Sequence, residues 1–148
     1  IIQLLYREDE YVDIILQEYI KTDYDVRVII VAGQIIGAMK RPVISDDFRS
    51  NVSQGSEPEI HELTELEKEE SIRAAKAVDG MIVGVDFIPA KNRDKDKPYM
   101  IEVNSTPGLM GIEAVYKDAA SKPLIKDQKR SISKEILEIF MNRDNWSI

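Results

Sequence analysis

The sequence predicts an α+β fold with a mainly antiparallel sheet flanked by helices. Strand-like runs occur as hairpins, one around Gly33 and a second joining residues 81–88 to residues 99–104. Helical patterns separate and follow these hairpins, without the regular βαβ repeats that are typical of a parallel sheet. The 148 residues correspond in length to one domain with its own core.

The first third of the chain contains three strand-like runs. Residues 1–13 are predicted to form a short helix, and the apolar run 14–20 a buried strand. Residues 26–32 and 34–41 flank Gly33 and predict a hairpin in which this glycine supplies the turn. Three strands are therefore expected in succession.

A polar segment separates these strands from a well-marked helix. Residues 42–62 are rich in Asp, Asn, Ser and Pro and predict a loop of functional length. Thr64 and Glu67 form a capping-box pattern, which predicts that a helix begins there. Farther along, a helical turn is expected from Gly108 and an amphipathic helix over residues 133–142.

The composition excludes several classes of protein. Hydrophobic residues make up 43% and charged residues 32% of the chain, and no apolar run approaches the roughly 20 residues that span a membrane. The net charge of -7 argues against a nucleic-acid partner, although cations at Lys40, Arg41 and Arg49 suit an anionic small ligand. The start of the chain lacks the pattern of a secretory signal. The lack of cysteine excludes disulfides and thiol nucleophiles and is consistent with the cytoplasm, where we expect the protein.

The second hairpin carries three candidate metal ligands. Alternation along a strand places Glu102 and Asn104 on one face, and antiparallel pairing can bring Asp86 beside Glu102. Two carboxylates and an amide form a plausible but incomplete shell for Mg²⁺, with open positions for a ligand. On spacing alone, the exposed face of an amphipathic hairpin explains the three residues equally well. Asp86 favours the site, because an unpaired carboxylate inside an apolar strand is costly.

Neither common phosphate-binding loop is present in the sequence, because it contains no Gly-x-x-x-x-Gly-Lys-Ser/Thr and no Gly-x-Gly-x-x-Gly pattern. Four other segments follow one another along the chain: Gln17-Glu18-Tyr19-Ile20, Asp25-Val26-Arg27, Phe48-Arg49-Ser50-Asn51, and Gly84-Val85-Asp86 followed by Glu102-Val103-Asn104-Ser105-Thr106-Pro107-Gly108-Leu109-Met110-Gly111-Ile112-Glu113. Their order and spacing resemble the C-terminal half of the ATP-grasp ligases, specifically the RimK type that adds glutamate to a ribosomal protein or makes related peptide bonds. The resemblance covers about residues 14–113 and implies that residues 1–148 form one ATP-grasp C-terminal portion. Residues 114–148 would be a helical tail, and the N-terminal pre-grasp domain and the lid would lie outside the chain.

The resemblance implies a role for each matching residue. The adenine strand would comprise Gln17, Glu18, Tyr19 and Ile20, and the main-chain groups of residues 18–20 would read the base edge. The nucleotide site would also include Asp25 and Lys40. The catalytic residues facing the phosphates or an acyl phosphate would be Arg27, Arg49 and Asn51. The ligands of Mg²⁺, or Mn²⁺, would be Asp86, Glu102 and Asn104.

The implied reaction uses ATP to phosphorylate a carboxylate, after which an amine attacks the acyl phosphate. The implied partners are ATP, an amino-acid donor such as glutamate, and a protein or peptide acceptor, without a membrane partner. The chain would then be a fragment, a split subunit or a degenerate homologue, acting as a homo-oligomer or with a complementing N-terminal half. The rival hypothesis is a non-catalytic protein-interaction or nucleotide-binding module that retains the fold.

Several of these residues also have ordinary structural explanations. Arg27 lies two residues after Asp25 and can form a surface ion pair with it. Lys40 can be a solubilising charge at a strand end, and Tyr19 a packing residue. His61, the single histidine, is predicted to lie at the surface or to serve in packing, without an acid or base role.

Overall fold

The computed structural model describes residues 15–43, 57–121, 131–142 and 144. The strands are β1 (Tyr24–Val31), β2 (Gln34–Pro42), β3 (Glu59–Ile60), β4 (Ile82–Ile88) and β5 (Tyr99–Asn104), and the helices are α1 (Glu65–Ala77), α2 (Met110–Ser121) and α3 (Ile132–Met141). The strands form one antiparallel sheet in the order β3-β2-β1-β4-β5. The predicted α+β class is confirmed. None of the helices within the described ranges is long and apolar enough to cross a membrane.

The β1–β2 hairpin turns through two residues with left-handed backbone. Ala32 has φ 47° and Gly33 has φ 73°, as a tight two-residue loop between twisted strands requires. The turn predicted at Gly33 is therefore confirmed. A β-bulge between Ile29 and Ile30 then shifts the pairing with β2 by one residue. Beyond this bulge, towards the start of β1, Asp25 pairs with Arg41.

The sheet buries apolar side chains on both of its faces. One face packs against α1, and its buried residues are Val26, Val28, Ile30, Ala38, Ala75, Val83, Val85 and Phe87. The other packs against α2 and α3 and buries Ile29, Val31, Ile36, Met39, Ile112, Val115, Tyr116, Ile132 and Ile136. On β1 the apolar residues of this second face reach from the hairpin turn to Ile29, and on β2 they reach to Met39, which pairs with Arg27. The end of the face near Asp25 therefore lies beyond the apolar patch on which α2 and α3 pack.

A buried carboxylate joins the start of α1 to the loop between β4 and β5. The capping box is confirmed, because Thr64 accepts a hydrogen bond from the Glu67 backbone N–H and donates its own N–H to the Glu67 carboxylate at 3.0 Å. Arg93 donates two hydrogen bonds of 2.8 Å to the same carboxylate, and His61 Nε2 lies 3.3 Å from it. Burial opposes ionisation of Glu67, but the hydrogen bonds from Arg93, His61 and Thr64 lower its pKa from 4.5 to about 2.

Glu67 is expected to make stability depend on pH in acid. Because its folded-state pKa is depressed, its contribution is complete above the unfolded value near 4.5 and is lost as the pH falls towards 2. We expect the free energy of unfolding of the wild type to fall between about pH 5 and about pH 2.5 by on the order of 2 kcal/mol more than that of Glu67→Gln. Urea unfolding at the two pH values measures this difference, and parallel losses in the two proteins would contradict it.

The predicted strand over residues 14–20 is wrong for the residues that the structure describes. Residues 15–20 have no regular secondary structure, and the exposed fractions of Ile15, Leu16 and Tyr19 are 83%, 79% and 69%. An apolar run becomes a buried strand only where a neighbouring strand offers hydrogen bonds, and no described strand of the sheet pairs with residues 15–20.

The remaining elements follow the sequence prediction with small changes. The terminal helix predicted over residues 133–142 is confirmed as α3, and the helical turn expected after Gly108 is confirmed as the start of α2. The predicted loop over residues 42–62 is interrupted by β3, which pairs with Met39 and Lys40 of β2. The predicted helix over residues 1–13 lies outside the described residues.

Candidate functional site

A row of charged side chains crosses the sheet at the end away from the β1–β2 turn. Its members, from β2 to β5, are Arg41, Asp25, Arg27, Asp86 and Glu102. Asp25 pairs with Arg41, Arg27 with Asp86, and Asp86 with Glu102, and directly paired residues lie on the same face. The charged row, as we call it, therefore continues the face that α2 and α3 cover elsewhere.

Asp86 is the most buried member of the charged row, with 3% of its surface exposed. Arg27 donates to its two oxygens at 2.8 and 2.6 Å, and Arg41 donates to Oδ2 at 2.9 Å. The buried carboxylate is therefore not unpaired, because two guanidiniums compensate its burial, and its role as a metal ligand stays a prediction. The alternative pairing of Arg27 with Asp25 is wrong, since Asp25 binds Arg41.

Arg41 joins the two aspartates of the charged row. It donates to both oxygens of Asp25, at 2.7 and 2.8 Å, as well as to Asp86. Burial opposes the charge on Arg41, but hydrogen bonding and attraction from Asp25, with a further contribution from Asp86, raise its pKa above the ordinary value. The row therefore presents two fixed guanidinium charges between three carboxylates.

Glu102 forms the open end of the charged row. Its side chain is 53% exposed, and its one ion-pair partner among the described residues is Arg27, whose Nη2 lies 3.8 Å from Oε1. A β-bulge leaves Ile101 as an extra residue, since Asp86 pairs with Glu102 and Phe87 with Met100. The predicted placement of Asp86 beside Glu102 is confirmed.

The third predicted metal ligand, Asn104, ends β5. Its partner Gly84 lies two residues from Asp86, so Asn104 shares the face of Glu102. Its Oδ1 accepts hydrogen bonds from the Thr106 backbone N–H at 2.8 Å, which closes a local turn, and from the Thr106 hydroxyl at 3.4 Å. The amide oxygen thus lies near the end of the row and already accepts two hydrogen bonds.

These three side chains fit an open shell for a hard cation. Glu102 has an exposed carboxylate, and Asp86 Oδ1 accepts one hydrogen bond from the described residues, which leaves it lone-pair capacity. Asn104 Oδ1 would become a ligand if the long hydrogen bond from the Thr106 hydroxyl, at 3.4 Å, gave way to the ion. No three His, Cys, Asp or Glu side chains in the described ranges cluster as a complete metal centre. The donor set suits an ion that takes its remaining ligands from water or phosphate.

A close backbone approach holds the turn that contains Asn104. A Cβ atom added to Gly84 would lie 2.8 Å from Cβ of Pro107, too close for two carbon atoms, and the proline ring cannot move aside freely. We expect Gly84→Ala to lower the free energy of unfolding by about 1–3 kcal/mol. Gly111→Ala is the matched control, because its Cβ would meet Met39 Cε at an ordinary 3.5 Å. Urea unfolding checks both, and equal stability of Gly84→Ala and the wild type would contradict the expected clash.

A cavity of about 570 Å³ opens at the same end of the sheet. Its apolar lining includes Ile20, Ile88 and Tyr99, and its charged lining includes Lys21, Asp23, Lys91, Arg93 and Asp96. Ile88 lies two residues beyond Asp86 on the same face of β4, whereas Tyr24 and Arg93 line the cavity from the side of the sheet that packs on α1, and none of the five residues of the charged row is in its lining. Of the four residues in the predicted adenine segment, Ile20 lines this cavity, whereas Gln17, Glu18 and Tyr19 are exposed and outside its lining.

The structure does not bring Lys40 into the charged row. Lys40 pairs with Val26 and lies on the opposite face, 4.9 Å from the centre of the Tyr24 ring and 3.7 Å from Glu59 Oε2. His61 is buried on that face beside Tyr24, which confirms packing rather than a surface position.

Arg41 is named in the sequence analysis only as one of three cations that suit an anionic ligand, and it is given no role in the site there. A regular hairpin around Ala32 and Gly33 would place Lys40 opposite Asp25, and the bulge moves Arg41 there instead. The alternating pattern alone carries no signal for the bulge. The other predicted catalytic residues, Arg49 and Asn51, lie outside the described residues.

Sequence comparison identifies the family. Residues 4–127 match the RimK-like ATP-grasp domain. The chain belongs to this family. It is 36% identical over 124 residues to a protein of Xanthomonas oryzae pv. oryzae named probable alpha-L-glutamate ligase, which covers 82% of this chain and 41% of the relative. A protein of the same name from Chromohalobacter salexigens is 41% identical over 113 residues, which covers 74% of this chain and 36% of the relative. The chain thus spans about two fifths of the length of these relatives.

Solved structures agree with this family and with the fold. The ATP-grasp ligase PsnB, in its complex with minimal precursor, Mg and ADP, has a TM-score of 0.50 and 27% identity over 65% of this chain and 29% of its own. The D-alanine–D-alanine ligase of Bacillus anthracis complexed with ATP has a TM-score of 0.51 and 22% identity over 86% of this chain and 40% of its own. The latter likeness concerns the fold alone. The predicted RimK-type ATP-grasp resemblance is confirmed.

Proposed function

We propose that this chain forms the metal-nucleotide site of an ATP- and Mg²⁺-dependent carboxylate-amine ligase of the RimK type. The charged row carries this proposal. Asp86 and Glu102 face each other across β4 and β5, and two guanidiniums lie beside them on the same face of the sheet. A surface with metal-binding oxygens next to fixed cations matches the needs of a nucleotide with its metal ion.

The predicted metal ligands and the cavity beside Ile20 would together set the orientation of a bound nucleotide. The metal would be held by Asp86 and Glu102, with Asn104 as a third oxygen. The adenine would occupy the cavity beside Ile20, Ile88 and Tyr99, whose apolar walls suit a planar base. The similar ligase PsnB has been solved in complex with both Mg and ADP, which supports this pairing of ligands. The polyphosphate would then lie along the charged row.

The chain's own residues would act on charge during phosphoryl transfer. Arg27 and Arg41 would hold the phosphate oxygens with forked hydrogen bonds and neutralise the charge that develops between ATP and the attacking carboxylate. Bound Mg²⁺ would supply further neutralisation and orientation of the phosphates. Arg49 and Asn51 are proposed to assist at the acyl phosphate.

The proposed reaction consists of two displacement steps. A carboxylate oxygen attacks the γ-phosphorus of ATP and releases ADP, and an amine nitrogen then attacks the acyl carbon and releases phosphate and a proton. The names of the relatives support glutamate as the amino acid, and we propose a protein or peptide as the acceptor. Because the chain spans about two fifths of those relatives, we assign this reaction to a protein of their full length, to which the chain contributes the metal-nucleotide half.

A chimera tests the proposed function. Residues 4–127 would replace the matching segment of the Xanthomonas oryzae relative, and ADP release would be followed with ATP, Mg²⁺, glutamate and candidate peptides. We expect glutamate-dependent ADP release, with loss in the chimera carrying Glu102→Gln. Nucleotide binding without any turnover would support the non-catalytic module instead, and the absence of both would refute the nucleotide site.

A further inference from the structure

The guanidinium of Arg27 lies between the two carboxylates that would hold the metal. Its Nη2 atom is 2.6 Å from Asp86 Oδ2 and 3.8 Å from Glu102 Oε1. β4 separates β1 from β5, so the Arg27 side chain reaches across Asp86 towards Glu102. Within the described part of the chain, Arg27 is the one cation that contacts both carboxylates.

Electrostatics explains why a cation is held in this position. Asp86 and Glu102 are direct cross-strand partners, and like charges at paired positions destabilise a sheet. Arg27 is 18% exposed and makes a forked contact with Asp86, so its position is fixed by more than surface attraction. It therefore screens the repulsion between the two carboxylates in the ligand-free protein.

We propose that Arg27 is a positioning residue that occupies the cation position between Asp86 and Glu102 until the nucleotide binds, and so couples metal binding to nucleotide binding. This inference rests on the proposed function. A metal ion bound to both Asp86 and Glu102 would take the position between the two carboxylates that Arg27 Nη2 now occupies, and its charge would repel the guanidinium. The metal and Arg27 therefore exclude one another from this position.

A nucleotide changes the balance because it offers Arg27 a new partner. Phosphate oxygens accept the same forked hydrogen bonds as the Asp86 carboxylate, so the displaced guanidinium keeps its pairing. The metal alone has to displace Arg27 without such compensation. Metal binding should consequently be weak without nucleotide and strong with it, and by linkage the nucleotide gains equally from the metal.

Removal of the guanidinium tests this coupling in the full chain. Isothermal titration calorimetry would measure Mn²⁺ binding alone and in the presence of the nonhydrolysable analogue AMPPNP. We expect Arg27→Gln to bind Mn²⁺ alone about tenfold more tightly than the wild type, and the gain in Mn²⁺ affinity caused by AMPPNP to shrink by at least about tenfold. If Arg27 only supported the fold, Arg27→Gln would weaken Mn²⁺ binding both without and with AMPPNP. Tighter Mn²⁺ binding without AMPPNP therefore distinguishes the proposed role from a structural one.

Two further variants keep the test decisive. Arg73→Gln is the matched control, since Arg73 pairs with Glu70 on α1 and lies away from the charged row, and its Mn²⁺ affinity should equal that of the wild type. Arg27→Lys retains the positive charge but cannot form the forked hydrogen bonds. If Arg27→Gln fails to fold, Arg27→Lys takes its place in the test. We expect this variant to bind Mn²⁺ alone about threefold more tightly than the wild type. If the folded Arg27 variants bind Mn²⁺ alone no more tightly than the wild type, the inference is overturned while wild-type binding of Mn²⁺ with AMPPNP still supports the proposed function. Failure of the wild type to bind Mn²⁺ with AMPPNP would overturn both.

Discussion

Replacement of Asp86 by Ala is expected to lower the free energy of unfolding by about 3–5 kcal/mol, because it leaves the largely buried guanidinium of Arg27 without its forked partner, while Arg41 keeps Asp25. Arg27 would lose both of its hydrogen bonds of 2.8 and 2.6 Å, and Arg41 would lose its contact of 2.9 Å. The apolar neighbours of Asp86 on β4 offer no replacement acceptor. Urea unfolding followed by circular dichroism measures the loss, and the same variant should lose Mg²⁺-dependent nucleotide binding.

Asp25→Ala provides the comparison within the charged row. It removes the same group, but Arg41 keeps Asp86 as a partner, and Asp25 is more exposed, at 23% of its side chain. We therefore expect a cost of about 1–2 kcal/mol for Asp25→Ala. Equal costs for the two variants, or a cost below about 1 kcal/mol for Asp86→Ala, would mean that water restores the pairing of the guanidiniums and that the row is not a buried network.

Glu102→Gln should weaken nucleotide binding and leave the stability of the fold almost unchanged. The Glu102 side chain is 53% exposed, and its described contact with Arg27 is long, at 3.8 Å, so little of the fold depends on its charge. As a metal ligand, however, the carboxylate cannot be replaced by a neutral amide without loss of affinity. We expect the affinity for AMPPNP with Mg²⁺ to fall at least about tenfold, and the free energy of unfolding to change by less than about 0.5 kcal/mol.

Glu138→Gln is the matched control for this variant. Glu138 is also exposed and also paired with one cation, Lys134, but it lies on α3 beside the β1–β2 turn, at the far end of the sheet. Its nucleotide affinity should equal that of the wild type. Calorimetric titration of both variants with AMPPNP, with Mg²⁺ and then with EDTA, gives the comparison. Unchanged affinity in a folded Glu102→Gln protein would remove Glu102 from the site.

Local patterns were sufficient to predict most of the fold and the two central carboxylates. Gly33 in its hairpin and the Thr64–Glu67 capping box follow from backbone chemistry within a few residues. The pairing of Asp86 with Glu102 follows from alternation within two strands joined by one short loop. Such features need no knowledge of distant parts of the chain.

The features that the sequence did not reveal depend on register and on tertiary partners. The bulge between Ile29 and Ile30 has no local signature, yet it places Arg41 rather than Lys40 opposite Asp25. The exposed run over residues 15–20 is apolar enough for a strand, but no described strand of the sheet pairs with it. The position of Arg27 between Asp86 and Glu102 likewise depends on the strand order and not on spacing in sequence.

The most direct test of the metal-nucleotide site is paramagnetic broadening of amide signals by Mn²⁺. In an isotope-labelled sample of the full chain with AMPPNP, we expect the amide signals of Asp86, Glu102 and Asn104 to disappear at the lowest Mn²⁺ concentrations. Signals from α3, at the opposite end of the sheet, should remain sharp. Broadening centred on any other surface, or no selective broadening at all, would contradict the assignment of this site.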